Sequence, residues 1–201
     1  DNLKIIGKEA FKECESLTSV TLGKGITEVS EGAFENCSSL GSVTMTKEVI
    51  SLGKIAFRGC YSLKKVTFSD TLTTIGENCF RGCMALESVE IPKSVTKMGE
   101  GAFASCISIV SIAIPDGVTC IESSAFYNCA KLSSVKLPDG LTVIEGFAFF
   151  GCVSLTSIDF NAKLTTIKQG AFWNSGLTKV NIPDNVTTCL LYTSPSPRDP
   201  K

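Results

Sequence analysis

The chain has 201 residues, 43% of them hydrophobic, with 19 lysines and arginines against 20 acidic residues and a net charge of -1. That is enough apolar material for one ordered domain with a core, and charge so balanced and scattered excludes the basic stripe a nucleic-acid partner needs. No apolar run approaches the roughly 20 residues that span a bilayer, Asp1 is not followed by a signal-peptide pattern, and the absence of histidine removes the commonest general base and zinc ligand.

From its start, the chain puts Leu3 and Ile6 in columns later filled by Ile26 and Val29, so it is expected to begin inside a repeat. Phe11 then sets a beat of 23 residues that returns at Phe34, Phe57, Phe80, Phe103, Phe126, Phe149 and Phe172, the mark of a repeat array. Three residues after each of the first seven comes a cysteine, from Cys14 and Cys37 through Cys60, Cys83, Cys106 and Cys129 to Cys152. Leu17 or its equivalent follows, then an alternating pair such as Val20 and Leu22 set among Ser19 and Thr21. Period-2 alternation predicts one short, half-buried strand per repeat. A Pro-Asp-Gly turn, as at 115–117, leads to two inward residues, Val118 and Ile121, and the Ala-Phe pair beyond them is expected to cap a short helical turn. The eighth copy is one residue short and carries Ser175 in the cysteine slot. Past Thr188 the columns stop. Residues 189–201, rich in proline and serine, are expected to form a poorly ordered tail with the look of translated sequencing-adapter read-through.

One such unit cannot offset the entropy of ordering its backbone, so neighbours must complete its core and its strand hydrogen bonds. The fold expected is an α/β-type repeat solenoid over residues 1–188, dominated by short parallel β-strands.

The pattern L-x-x-V-x-L/I-P-x-x-V-T-x-I-G-x-x-A-F-x-x-C, carried almost whole by 86–106 (LESVEIPKSVTKMGEGAFASC), resembles the BspA-like leucine-rich repeats, also described as the Treponema pallidum type. The resemblance runs from residue 3 to about 188. It implies a leucine-rich-repeat horseshoe or solenoid of about eight repeats of 23 residues. Members of that family are mostly surface or secreted proteins linked to adhesion and host-protein binding. The resemblance therefore implies a cell-surface or secreted setting, and as partner a protein or glycan on host or neighbouring cells.

The cysteines invite a chemical reading. Zinc ligands must converge on a point, whereas a column diverges along a line, and the one close pair, Cys79 and Cys83, has Cys79 in an alanine column. Equivalent β-carbons in stacked turns lie about 4.8 Å apart, slightly beyond disulfide range. A catalytic thiolate would lack a histidine base. Buried thiols packing as small hydrophobes, weakly hydrogen-bonded to turn backbone, remain as the favoured reading. Cys120 stands apart, in a variable column, and is expected to be exposed.

Candidate partner-binding residues come from two places. The outward strand positions form a polar face, with Lys65, Glu90, Lys136, Asp159 and Lys179 as its charged members. The residue after each phenylalanine runs Lys12, Glu35, Arg58, Arg81, Ala104, Tyr127, Phe150, Trp173, so three aromatics occupy consecutive units with Phe147 nearby. Exposed, they would bind a protein or sugar ring; otherwise they pack against one another. Asn36 and Asn185 sit in N-x-S/T triplets. No phosphate-cradling loop or converging carboxylate pair is present, so neither enzyme activity nor a cofactor or metal is expected. The function expected is macromolecular recognition, with a structural spacer or the targeting module of a larger protein as the alternative.

Overall fold

In a computed structural model, which describes residues 2–189, the chain winds into a solenoid of short parallel strands. The strands fall into two rows. The first holds β2 (Ser19–Thr21), β4 (Ser42–Thr44), β6 (Lys65–Thr67), β9 (Ser111–Ala113) and β11 (Ser134–Lys136), the strands that alternation predicts. The second holds β1 (Ile5–Ile6), β3 (Glu28–Val29), β5 (Ser51–Leu52), β7 (Thr74–Ile75), β8 (Lys97–Met98), β10 (Cys120–Ile121), β12 (Val143–Ile144), β13 (Thr166–Ile167) and β14 (Thr188–Cys189). This second row corrects the expectation of one strand per repeat. Only one side chain per strand points inward there, so no alternation marks these two-residue strands.

Pairing joins residues one repeat apart, as Ser19 with Ser42 and Ser42 with Lys65. At the last step Thr166 meets Thr188, one residue early, as the shortened eighth copy requires. The ladder takes in Cys189, first residue of the segment set apart in the sequence; residues 190–201, and the disordered tail expected of them, lie outside the described residues. Among the described residues the first row has no strand pairing between β6 and 88–90 or between β11 and 157–159, and the second has none between β8 and β10. Both openings of the first row adjoin a turn with phenylalanine in the column of Leu22: Phe68 stands edge-on to Phe80 at 5.7 Å, and Phe160 to Phe172 at 5.8 Å. A ring in a slot cut for leucine displaces its surroundings.

The helical turn expected at Ala-Phe is absent; no described residue is helical. Two left-handed residues per repeat forbid it. One precedes the Ala-Phe pair (Glu9, Gly32, Ile55, Asn78, Gly101, Ser124, Phe147, Gly170) and one follows it, from Glu13 and Asn36 to Asn174, with φ between 50° and 78°. A right-handed helix cannot propagate through them. Backbone donors alternate instead: the Ala10 and Lys12 N–H groups close their own turn on Gly7 and Glu9 oxygens, while the Phe11 N–H reaches the Ala33 oxygen of the next coil at 2.8 Å. At three places in these columns a glycine leaves room for a larger side chain delivered by the preceding coil. A Cβ on Gly59 would collide with Asn36 Oδ1, one on Gly151 with Asn128 Oδ1, and one on Gly170 would stand 2.7 Å from Phe147 Cε1.

The core is a set of columns. The beat phenylalanines stack face to face, with centroids 5.2 to 5.4 Å apart except between Phe103 and Phe126, where the gap is 5.9 Å. That widest step coincides with the break between β8 and β10. Phe34 to Phe149 are fully buried, whereas Phe11 at the end of the stack is exposed. Each stacked pair contributes about 0.5–1.5 kcal/mol beyond its burial.

Candidate functional site

From Cys37 onward the cysteine column is structural; Cys14, at the end of the stack, is exposed and departs from the buried reading. Cys37, Cys60, Cys83, Cys106, Cys129 and Cys152 are buried, and each thiol donates to the phenylalanine carbonyl of the preceding coil at 3.1 to 3.3 Å. That carbonyl also accepts the in-turn bond from its own coil's cysteine N–H, as Cys14 N–H to Phe11 O at 3.2 Å. Burial pushes the Cys60, Cys106 and Cys152 thiols up to about 12, leaving them protonated and unreactive at neutral pH. Cys120 lies half-buried rather than exposed, raised to about 11 by desolvation and then by Glu122 and Glu145. Among the described residues no cluster of acidic and cysteine side chains could hold a metal ion.

The column after the phenylalanines divides in two. At one end the Glu35 side chain, 2% exposed, lies between Lys12 Nζ at 3.2 Å and Arg58 Nη2 at 2.6 Å. At the other end Tyr127 stacks on Phe150 with centroids 4.7 Å apart, and Phe147 and Trp173 approach Phe150 edge-on at 6.1 and 5.6 Å. Tyr127, Phe147 and Phe150 are half-buried, their faces turned to one another; Trp173 is 55% exposed. The ring of Phe147 also lies over Gly170, which fixes it.

The polar sheet face holds the charged candidates. Lys136, Asp159 and Lys179 are exposed on successive coils. Lys65 and Glu90 stand on the two sides of the opening beside β6, where a groove of about 570 Å³ is lined by Lys65, Val66, Phe68, Asp70, Ser88, Glu90 and Lys93, among others. That volume lies within the range of about 300–1,000 Å³ usual for ligand pockets. Sequence reasoning missed Asp70 and Lys93, because they lie in the turn after the strand rather than in its outward columns. The Asn36 amide is packed over Gly59, and Asn185 donates to the Ala162 carbonyl, so both N-x-S/T asparagines serve the stack.

Residues 1–106 and 73–193 match the BspA type leucine rich repeat region, in six copies. Among solved structures the chain is similar to the leucine-rich-repeat protein of T. pallidum, with 28% identity over 79% of this chain and 76% of that one and a TM-score of 0.64. It is also similar in fold to the pneumococcal vaccine antigen PcpA, with 21% identity over 92% of this chain and 63% of that one and a TM-score of 0.51. No curated protein matches it.

Proposed function

The chain belongs to the BspA-type leucine-rich-repeat family, a family of protein-interaction modules, and on that premise we propose that it is a non-enzymatic recognition module of a surface or secreted protein, serving adhesion or host-protein binding. The surface setting is supported by the likeness to the family alone. The observation that carries the reading is the polar sheet face at β6, where a rigid stack of coils presents a groove edged with charge. A scaffold of this kind recognises through what its exposed columns display. The stacked aromatic column favours the spacer alternative at that end, since rings facing one another strengthen the array without offering a platform.

The test is a binding screen of the intact chain against immobilised matrix proteins and glycans. Saturable binding to at least one, weakened tenfold or more by the double change Lys65→Ala and Glu90→Ala at unchanged melting temperature, is the expected result. Binding to none of them leaves the spacer.

A further inference from the structure

We propose that the opening beside β6 takes an extended peptide segment of the partner, which pairs with the free edge of that strand and is held by charges of both signs. This rests on the recognition reading and names its site and ligand class. The edge is defined by the bonds that its neighbours make. Leu22 N–H donates to Thr44 O and Met45 N–H to Thr67 O, both at 2.9 Å, while Gly41 O accepts from Lys64 N–H at 2.9 Å. One coil further on, the equivalent groups, Phe68 N–H and Lys64 C=O, have no backbone partner among the described residues. Alternation along a strand turns the Val66 N–H and C=O to the same side. Four backbone groups over five residues therefore line one edge at the first of the two openings in this row. An unpaired edge of this kind is a template for another strand.

The opening is bounded rather than a general loosening of the stack. Ala85 N–H holds Tyr61 O at 3.1 Å on one side, and on the other Thr96 N–H holds Thr73 O at 3.0 Å and Ser94 Oγ holds Leu72 O at 2.6 Å. The side chains around it point to the same ligand. Lys65, Asp70, Glu90 and Lys93 all line the groove, and none forms an ion pair among the described residues. In the turns after the second strand row adjacent coils do pair their charges, as Lys8 with Glu31, Lys54 with Glu77 and Lys168 with Glu145. Two free cations and two free carboxylates beside a free strand edge suit a peptide with an acidic and a basic side chain on one face, two residues apart.

The probes are four end-blocked, fluorescein-labelled pentapeptides with lysine or glutamate at positions two and four in every combination and threonine or valine elsewhere. Fluorescence anisotropy with the intact chain is expected to show the two mixed-charge peptides binding at least tenfold more tightly than the all-lysine or all-glutamate ones. Methylating alternate backbone nitrogens is expected to weaken binding tenfold or more, and the amide exchange of Val66 and Phe68 to slow in the complex. Ser88→Trp, which fills the groove from an exposed position, and the double change Lys65→Ala with Glu90→Ala should each weaken binding tenfold or more without lowering the melting temperature. No binding, binding indifferent to N-methylation, or binding that survives both variants overturns the inference. If matrix-protein binding persists in Ser88→Trp while the peptides fail, the recognition reading stands and only the groove falls.

Discussion

One column, the residue after each phenylalanine, fastens the coils electrostatically at one end of the array and by aromatic packing at the other. Lys12, Glu35 and Arg58 clasp three successive coils through a carboxylate with almost no exposure, whereas Tyr127, Phe150 and Trp173 do so through rings in contact. The backbone is the same in both places, turn for turn, with left-handed residues at the same offsets. A slot in a solenoid is thus defined by spacing, and either chemistry can fill it, provided that it completes itself across the step to the next coil.

The largest effect expected is one that both ends share. The unfolded thiols ionise near pH 8.5, while burial keeps Cys60, Cys106 and Cys152 protonated up to about 12. Their contribution to stability is therefore complete below about pH 8.5 and lost as pH rises toward 12. Lys12, raised by its hydrogen bonds to Glu35 and Glu9, changes stability in the same sense. Thermal melts followed by circular dichroism should be level from pH 6 to 8 and fall steeply by pH 11; a level profile throughout would show that the column is not buried.

The next changes separate the two ends. Phe150→Ala removes a half-buried ring with three aromatic neighbours, and should cost about 2–3 kcal/mol, somewhat below a fully buried phenylalanine, with no dependence on salt in chemical denaturation. Glu35→Ala should cost about 1–2 kcal/mol, because the exposed Lys12 and Arg58 regain water, and the loss should shrink in 1 M NaCl. Equal salt dependence in the two variants would erase the distinction. Trp173→Ser, at the exposed end of the aromatic run, should change stability by less than about 1 kcal/mol.

The stacking period, the core columns and the buried role of the cysteines from Cys37 to Cys152 could be read directly, since each returns at fixed spacing. The second strand row could not, because a single inward residue such as Val29 or Ile144 leaves no period to detect. Left-handed backbone at Ile55 and Phe147 was equally hidden: neither residue type favours that region, and only contact with the next coil holds them there. Lys65 and Glu90 were visible as charges on a face. The groove between them was not, because it depends on hydrogen bonds that fail between two coils, and a missing bond has no letter in the sequence.

The glycines opposite Asn36, Asn128 and Phe147 carry a consequence for how such a gene can change. At each, the space a Cβ would take is filled by that large predecessor, so the matched pair straddles two copies of the repeat. Unequal crossing-over that deletes or duplicates one whole copy keeps the spacing yet can set a bulky residue against another. The heritable unit of this array is the junction between coils, and exchanges that preserve matched junctions are those that leave a foldable protein.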